Sequence, residues 1–276
     1  MILSRKGFDG STGGKPSPIL GDRLATFHIP RADTDIFYKN LMLTETESYL
    51  DIMKDLGINS FSETHLDPDL DSSIWKNRAE GWRGVFGQSG ISQGTLHNRN
   101  VGPGDLFLFF GWFKQVDKID GVYRYVPEAP DLHVLFGYLE VNQVIDVNAD
   151  MEIPKWAEYH PHIQAREELK NKRNAIYVAN RNFSKDRKKR GWGTFSYRDE
   201  LVLTQEGAKN RTEWKIPLCF KDEQTKFTHN IKRWEEKGDG ISMQTSGRGD
   251  QEMYVSDNKD VVNWAENLIL DGLIRS

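Results

Sequence analysis

The chain has 276 residues, of which 37% are hydrophobic and 28% are charged, and this composition indicates a globular protein long enough for an ample core. Its formal net charge of −4 argues against a general nucleic-acid coat protein, because such proteins bind by neutralising phosphates with basic residues. One cysteine excludes a disulfide framework, and the lack of a signal peptide or of an apolar run near 20 residues predicts a cytoplasmic protein.

The first notable element is the glycine-rich stretch SRKGFDGSTGGKPSP, residues 4–18. The phosphate-binding P-loop pattern requires a glycine where Asp9 stands and a hydroxyl side chain where Pro16 stands, so the pattern fails at two positions and argues against a nucleoside triphosphatase. The glycines instead predict a tight turn after a short first strand. We expect this turn to present Arg5, Lys6 and Asp9 to a pocket.

Two segments predict helices. Between Thr44 and Leu56 apolar residues recur at helical spacing, Thr44 and Glu47 fit a capping box, and Gly57 stands where a helix commonly ends. A second helix is predicted at about 257–272, with an apolar face that includes Val261 and Ala265.

The residues between these helices predict strands. The apolar runs are Leu106 to Phe113 and His133 to Val141, and Asp120 with Gly121 predicts a hairpin turn between shorter strands. The segments DELVLT and EWKIPLCF are further strand candidates. This arrangement predicts an α+β protein, a single domain over residues 1–276, built around a curled mixed β-sheet or a small β-barrel with flanking helices.

The stretch ETHLDPDLD offers a histidine and three aspartates. If the stretch is extended, His65, Asp67 and Asp69 face one side and could form a metal site or a carboxylate base site. The other interpretation is a polar turn at Pro68, and we prefer it to a metal site because no second acidic cluster is visible. A base role for Asp67 or Asp69 stays open.

A second dense stretch is EGWRGVFGQSGISQGTLHNRNVGPGD. It alternates aromatic and amide side chains among glycines, which suits stacking and edge hydrogen bonds to a planar base. The alternative is a glycine-rich loop whose glutamines bond the backbone. The candidate base-binding residues in it are Trp82, Arg83, Phe86, Gln88 and Gln93.

Two other histidine and basic segments carry weaker signals. His160 and His162 flank Pro161, and such a pair can bind zinc, but no third ligand is close in sequence, so a structural role or a capped turn is expected. Most charge runs are solvated loops, but the basic run at 185–190 lies among aromatic residues. This arrangement favours contact with a phosphate backbone more than an ordinary charge run does.

The order of VGPGDLFLFF and HVLFGYLEV resembles the barrel core of the PUA-like superfamily, which includes the ASCH, EVE and YTH domains. In that superfamily a Gly-Asp turn enters an apolar strand, and a later strand with a central glycine pairs nearby. The resemblance covers about 40 residues, and Gly-Asp turns are common before strands. It implies a small barrel that recognises a base or a nucleotide, often a modified one.

A longer resemblance covers most of the chain, from Ile2 to Phe220. The motifs LSRKGFDGSTGGKPSPI, HLDPDL, GWRGVFGQSGISQGTL, VGPGDLFLFFGWF, DLHVLFGYLEV, HPH and ELVLTQEGAKNRTEWKIPLCF resemble, in this order, the third clade of the nucleotide-modification-associated domain families. The resemblance implies a context of modified DNA bases in bacteria and their phages. The residues that it carries over are Arg5, Lys6, Asp9, His65, Asp67, Asp69, Gln88, Gln93 and His133.

The leading functional hypothesis is recognition of a modified nucleotide or DNA base. Whether the base is also processed stays open, and hydrolysis is the reaction expected if it is. In this hypothesis the basic residues of the first turn hold phosphate, Trp82 or Phe86 stacks on the base, and the two glutamines read its edge. The expected catalytic group is Asp67 or Asp69, assisted by His65 and Lys6, acting on an N-glycosidic or amide bond without metal or cofactor.

Two alternatives belong to other functional classes. One is a reader that captures a modified base without chemistry, and the other is a nuclease or phosphotransferase with a metal at His65, Asp67 and Asp69. The expected partner is a nucleotide or a DNA with a modified base. The sequence does not distinguish free nucleotide from polymer, and it leaves the oligomeric state open.

Overall fold

The computed structural model describes residues 1–31, 34–149, 152–228, 231–245, 251–272 and 274–275. Within these residues the helices are α1 (Tyr49–Asp55), α2 (Gly90–Asn98), α3 (Pro161–Gln164) and α4 (Lys259–Leu270). The strands are β1 (Ile2–Arg5), β2 (Ser17–Leu20), β3 (Arg23–Leu24), β4 (Val85–Ser89), β5 (Leu106–Ile119), β6 (Val122–Tyr125), β7 (Leu132–Asp146), β8 (Asn174–Ala179), β9 (Trp192–Phe195), β10 (Glu213–Pro217), β11 (Trp234–Lys237), β12 (Gly240–Gln244), β13 (Glu252–Val255) and β14 (Ile274–Arg275).

Most of the described strands form one large mixed sheet. Its main path runs β13, β1, β5, β7, β8 and β4, and the strands β2, β3, β6, β9 and β14 branch from it. Both β1 and β2 pair in parallel with β5, Arg5 opposite Phe110 and Ser17 opposite Phe113. The glycine-rich segment between them therefore leaves the sheet and returns to it on one strand, and it projects from the sheet as a loop.

The two long strands form the middle of the core. Leu106 to Phe110 are buried almost completely, as are most residues of β7 up to Val141, because this part of the sheet is covered on both faces. β5 and β6 form the predicted hairpin, with positive φ angles of 52° at Asp120 and 82° at Gly121. The prediction of apolar strands and of the hairpin is confirmed.

The large sheet is curled but not closed. Irregular pairing between Phe109 and Phe110 in β5, and between Val141 and Gln143 in β7, bends the sheet. Among the described strands, β13 and β4 end the path and do not pair with each other. The α+β class with a curled mixed sheet is confirmed, whereas the alternative of a small closed barrel is wrong.

The second sheet has three described strands in the order β10, β12, β11. The segment EWKIPLCF is a strand only to Pro217 and continues as a 3-10 turn over Leu218–Phe220. The strand predicted in DELVLT is wrong at its start, because Asp199–Leu201 form another 3-10 turn. Only isolated bridges follow there, from Val202 and Thr204.

The helix boundaries differ from the expected ones at the first helix. α1 begins after Ser48, whose side chain accepts from the Asp51 backbone N–H while Asp51 bonds back to Ser48, so the capping box lies four residues beyond the predicted one. Thr44 instead accepts from the Glu47 N–H in a preceding turn. α4 lies inside the predicted 257–272 segment, as expected. No helix in the described part is long and apolar enough to cross a membrane.

The glycine-rich stretch after Trp82 is more regular than the loop considered as its alternative. Val85 and Phe86 are fully buried and begin β4, and Gly90, at a φ of 64°, turns the chain directly into α2. An earlier segment of the chain pairs beside β4, because Asp69 and Val85 exchange backbone hydrogen bonds of 2.8 and 3.0 Å. This pairing decides where Asp67 lies.

Candidate functional site

A small polar pocket of about 150 Å³ lies where the first loop, the segment 65–69, β4 and the residue before β13 meet. The first loop contributes Arg5, Lys6 and Asp9 to its charged lining, and later segments contribute Arg31 and Asp67. The lining side chains and backbone groups belong to Arg5, Lys6, Gly7, Asp9, Thr12, Ile29, Arg31, His65, Asp67, Gly87, Gln88, Ser89, His162 and Gln251. No phenylalanine, tyrosine or tryptophan is in this described lining.

The first loop places its polar residues by a sharp turn at Gly7, where φ is 81° and an added Cβ would lie 2.9 Å from the Phe27 carbonyl oxygen. Asp9 then stabilises the loop from within, because one of its oxygens accepts from the backbone N–H groups of Ser11 and Thr12, each at 2.7 Å. The loop is thus a fixed wall of the pocket, as the sequence predicted for Arg5, Lys6 and Asp9.

Lys6 is held by a buried polar network. Its Nζ donates to Gln251 Oε1 at 2.8 Å, lies 3.2 Å from Glu252 Oε1, and stands 4.4 Å from the centre of the Phe86 ring. Gln88 donates to the same Glu252 oxygen at 2.7 Å. A buried cation, a buried carboxylate and two amides therefore fix this side of the pocket.

Asp67 lies opposite β4 because the backbone pairing of Asp69 with Val85 sets Asp67 two residues further along, beside Gly87. Its Oδ1 accepts from the Gly87 N–H at 2.6 Å. His160 Nε2 lies 3.3 Å from the same oxygen, and His162 Nε2 lies 3.9 Å from the other one, Oδ2. The carboxylate is thus surrounded by a backbone donor and two imidazoles.

The imidazoles reach Asp67 from α3. His160 caps this single helical turn, accepting from the His162 N–H at 3.4 Å, which confirms the predicted capped turn and leaves its Nε2 facing Asp67. His65, on the strand-like segment, packs edge to face on His162 with ring centres 5.2 Å apart. All four side chains are at least nine-tenths buried.

Gly87 makes room for this packing. A Cβ on Gly87 would lie 2.3 Å from His162 Cδ2 and 2.8 Å from His160 Cε1, far inside contact distance. The motif VFGQS thus needs glycine at its centre because the missing side chain admits the two histidines, and the backbone N–H at the same position binds Asp67.

The second contact that fixes His162 comes from β8. Asn174 Nδ2 donates to the His162 carbonyl oxygen at 2.9 Å, so Asn174 Oδ1 is the atom 2.8 Å from His162 Nδ1. An amide oxygen only accepts, so His162 Nδ1 carries the proton. In the neutral ring the lone pair is then on Nε2, which faces Asp67.

Burial controls the charge states in the cluster. It lowers the pKa of His162 to about 4 although the charge of Asp67 opposes this, and burial together with the charge of His162 lowers the pKa of His65 well below its usual value. Burial would raise the pKa of Asp67, but contact with His160 and the imidazole charges outweigh it and lower that pKa. At neutral pH Asp67 is ionised, and His65 and His162 are neutral.

The described residues contain one group of three side chains that could hold a metal ion. The donor atoms of His65, Asp67 and His162 lie within 4.8 Å of one another. The metal alternative considered from the sequence used Asp69 as the third ligand, but the structure has His162 in that place.

Asp69 points away from the pocket although it is only two residues from Asp67. Its carboxylate pairs with both terminal nitrogens of Arg78 and accepts from the Tyr159 hydroxyl, and it is fully buried. The chain bends at Pro68, so Asp69 forms a structural ion pair although it is only two residues from Asp67. Trp82 belongs to this second cluster, because it donates to Tyr159 at 2.8 Å and lies against Arg78.

The other predicted base-binding residues also lie outside the pocket lining. Phe86 packs in the core against Phe107 and Phe109, and Gln93 accepts from the Tyr177 hydroxyl at 3.1 Å. Arg83 lies near the Ala179 carbonyl oxygen.

His133 is buried beside Trp214, which donates to its Nδ1 at 2.9 Å. The structure brings together six of the predicted residues, Arg5, Lys6, Asp9, His65, Asp67 and Gln88, at one pocket.

The basic run at 185–190 lies over α4 rather than at the pocket. Lys185 pairs with Glu266 at 3.2 Å, and Lys189 donates to the Gly272 carbonyl oxygen at 3.1 Å. The aromatic residues Phe183 and Phe195 nearby are buried in the core.

Sequence reasoning missed several pocket residues. His162 belongs to the H-x-H pair, which is a recognisable signal in the sequence. Its partners lie in a segment about 95 residues earlier, and the sequence does not show that the two segments meet. Arg31, Asn174, Gln251 and Glu252 carry no local motif. Their roles follow only from the pairing of strands that are distant in sequence.

Neither a curated protein nor a solved structure matches the chain. A family model described as nucleotide modification associated domain 3 matches residues 1–255 of the 276, and this range contains every residue that lines the pocket. The chain therefore belongs to the nucleotide modification associated domain 3 family.

Proposed function

We propose that the chain binds a nucleotide or DNA segment with a modified base in this pocket and hydrolyses a bond of that base. The family supports a role connected with modified nucleotides. The observation that carries the chemical part is a buried carboxylate with a lowered pKa, Asp67, in a pocket with basic side chains and with two buried imidazoles of lowered pKa, His65 and His162.

The cationic side of the pocket suits the phosphate group. The basic side chains of Arg5, Arg31 and Lys6 line it together, and such side chains bind phosphate oxygens. The amides of Gln88 and Gln251 supply donors and acceptors for a base edge or sugar. The pocket volume of about 150 Å³ is below the roughly 300 Å³ of a typical small-molecule site, so it fits the reacting part of a larger ligand.

The roles within the cluster follow from the charge states. Asp67, with its lowered pKa, is a weak base, and it stabilises positive charge on an imidazole better than it takes a proton itself. We therefore assign proton transfer to His162 or His65. The imidazole takes a proton from water as the water oxygen attacks the N-glycosidic or amide carbon, and the leaving nitrogen receives a proton as its bond breaks.

The test combines product detection with ligand binding. The protein is incubated with DNAs and nucleotides that carry different base modifications, and nucleosides and small products are measured by mass spectrometry. We expect a released product with at least one substrate. Asp67→Asn should lower turnover by roughly 100-fold or more while binding stays within a few-fold of wild type.

Asp239→Asn is the matched control, because Asp239 is exposed and, within the described residues, its ion pair is with Lys215 at the surface. Binding of a modified DNA without any product from wild type would contradict the hydrolytic role and support a reader. Equal turnover in wild type and Asp67→Asn would contradict the assigned cluster.

A further inference from the structure

We propose that His65, Asp67 and His162 bind one divalent transition-metal ion. The binding of the ion follows from the geometry alone, whereas its use in hydrolysis rests on the proposed function. With the ion bound, the two imidazoles are ligands and no longer proton acceptors, so the metal-bound water replaces the imidazole base of the proposed function. Three donor atoms within 4.8 Å of one another come from residues 65, 67 and 162, which the fold brings together from two separate segments. Donors around a metal with bonds of about 2.1 Å lie roughly 3 to 4 Å apart, so small side-chain rotations close the set.

The contact between His162 and Asp67 is the first argument. Asn174 places the Nδ1 proton of His162 on the far side, so the Nε2 lone pair faces Oδ2 of Asp67 across 3.9 Å. Two acceptors that face each other repel unless a positive centre lies between them. A metal ion bonded to both atoms satisfies both lone pairs.

The two oxygens of Asp67 have different surroundings. Oδ1 already accepts from the Gly87 N–H at 2.6 Å and lies 3.3 Å from His160 Nε2. Oδ2 faces His162 Nε2 at 3.9 Å. One oxygen thus holds the carboxylate in position while the other is directed to the metal, an arrangement that metal sites use to orient ligands.

His65 supplies an independent observation. Its side chain is only 5% exposed, and its Nδ1 has no hydrogen-bond partner within the described residues. A buried polar atom without a partner is destabilising, and a bond to a metal ion would remove that cost. Its ring packs on His162 with centres 5.2 Å apart, so the unpartnered imidazole belongs to the same cluster.

The donor set selects the class of metal. Two imidazoles and one carboxylate favour zinc and iron over magnesium and calcium, which prefer oxygen ligands. Three protein ligands leave coordination positions free, and the free side faces a pocket that Arg5 and Gln88 also line. A water molecule bound there would become more acidic, which is the chemistry that hydrolysis needs.

The experiment measures metal binding without any nucleotide. Full-length protein without a histidine tag is stripped with chelator and dialysed separately against Zn²⁺, anaerobic Fe²⁺, Co²⁺ and Mg²⁺, and bound metal is quantified by elemental analysis. We expect one ion per chain for the three transition metals, visible absorption with Co²⁺, and no stoichiometric Mg²⁺. The relative affinities of Zn²⁺ and Fe²⁺ then show which ion the site prefers.

Variants assign the ligands. Asp67→Asn and His162→Ala should each weaken Zn²⁺ binding by more than about 100-fold, since losing a ligand costs more than losing a residue that only orients one. His97→Ala is the matched control, because His97 is an exposed histidine on α2. Circular dichroism and thermal unfolding verify that each variant is folded.

Two outcomes overturn the metal site: wild type that binds none of the three transition metals, and a folded His162→Ala that binds Zn²⁺ as tightly as wild type. The proposed function fails separately, because a protein that binds the metal but releases no product keeps the site and loses the hydrolytic role.

Discussion

Asn174 sets the tautomer of His162 through two hydrogen bonds, one to the His162 carbonyl oxygen at 2.9 Å and one from the ring Nδ1 at 2.8 Å. The first bond determines which way the amide faces, and the second then leaves the ring Nε2 without a proton. A residue on β8 that has no acid or base function of its own thus decides which atom of His162 is available to Asp67 and to the pocket.

Replacement of Asn174 by leucine removes both bonds. We expect Asn174→Leu to weaken Zn²⁺ binding by about 10- to 100-fold while leaving the chain folded, because the ring loses its orientation but keeps its donor atom. Asn174→Asp keeps the acceptor for Nδ1 and should recover most of the affinity. Equilibrium dialysis with Zn²⁺ checks both, and equal losses in the two variants would show that Asn174 acts only through packing.

Gly87→Ala tests the fit between β4 and the histidine pair. The new methyl group would begin 2.3 Å from His162 Cδ2, so the ring or the strand must move. We expect a loss of about 1 to 3 kcal/mol in the free energy of unfolding, together with weaker metal and ligand binding. Gly94→Ala on α2 is the control, because its Cβ would meet only Arg173, at 3.9 Å. Denaturant unfolding compares the two.

Substitutions of Lys6 and Lys15 distinguish two ways of binding phosphate, by a side chain or by a backbone cradle. Lys6 is buried against Glu252, whereas Lys15 is exposed in the glycine-rich loop. Lys6→Met should cost about 3 kcal/mol by leaving Glu252 unpaired and should weaken nucleotide binding at least roughly tenfold. Lys15→Met should change neither quantity. Calorimetric titration and denaturant unfolding measure both, and a larger effect from Lys15→Met would revive a P-loop-like role.

Asp69 should matter for stability rather than for chemistry. The substitution Asp69→Asn removes the negative charge and leaves buried Arg78 without a counter-ion. We expect a loss of roughly 3 to 5 kcal/mol in unfolding free energy. Any folded fraction should retain turnover per active site, because Asp69 is turned away from the pocket. Active-site titration makes this comparison, and a specific loss of turnover in stable protein would restore Asp69 as a catalytic candidate.

The capping box of α1 gives a prediction for acid. Ser48→Ala should lower the unfolding free energy by about 1 kcal/mol at neutral pH. The hydrogen bonds from Ser48 lower the pKa of Asp51, so its stabilising effect is present above the unfolded value of about 4 and is lost as pH falls through the folded pKa. The difference between wild type and Ser48→Ala should therefore shrink below about pH 4. Unfolding curves at several pH values test this sign.

Local signals in the sequence predicted the elements that depend on neighbours along the chain. The apolar run from Leu106, the Asp120-Gly121 turn and the apolar face of α4 each need only a short window of residues. The start of α1 was misplaced because Thr44 and Ser48 both begin acceptable capping patterns, and only the packing of the helix distinguishes them.

The candidate site depends on pairings that no window contains. Six of the predicted residues do line one pocket. Asp67 and Asp69 do not face the same side as an extended strand would require, because the chain bends at Pro68 and the two carboxylates bind different partners. Trp82 and Phe86 were predicted to stack on a base. In the structure Phe86 packs in the hydrophobic core, and Trp82 packs against Arg78 of the Arg78–Asp69 ion pair. Burial of a large aromatic side chain stabilises the fold, so aromatic residues are found in the core more often than on a surface where they could stack on a ligand.

The pairing of Lys6 with Glu252 joins residues that are 246 positions apart. Closing such a contact is slow, because loop-closure entropy must be overcome before the contact is gained. During synthesis the first loop leaves the ribosome long before β13 exists, so the pocket can assemble only when almost the whole chain is available. Pocket formation is therefore a late event in folding, and a truncated or stalled chain would carry the histidines and the aspartate without a finished ligand site.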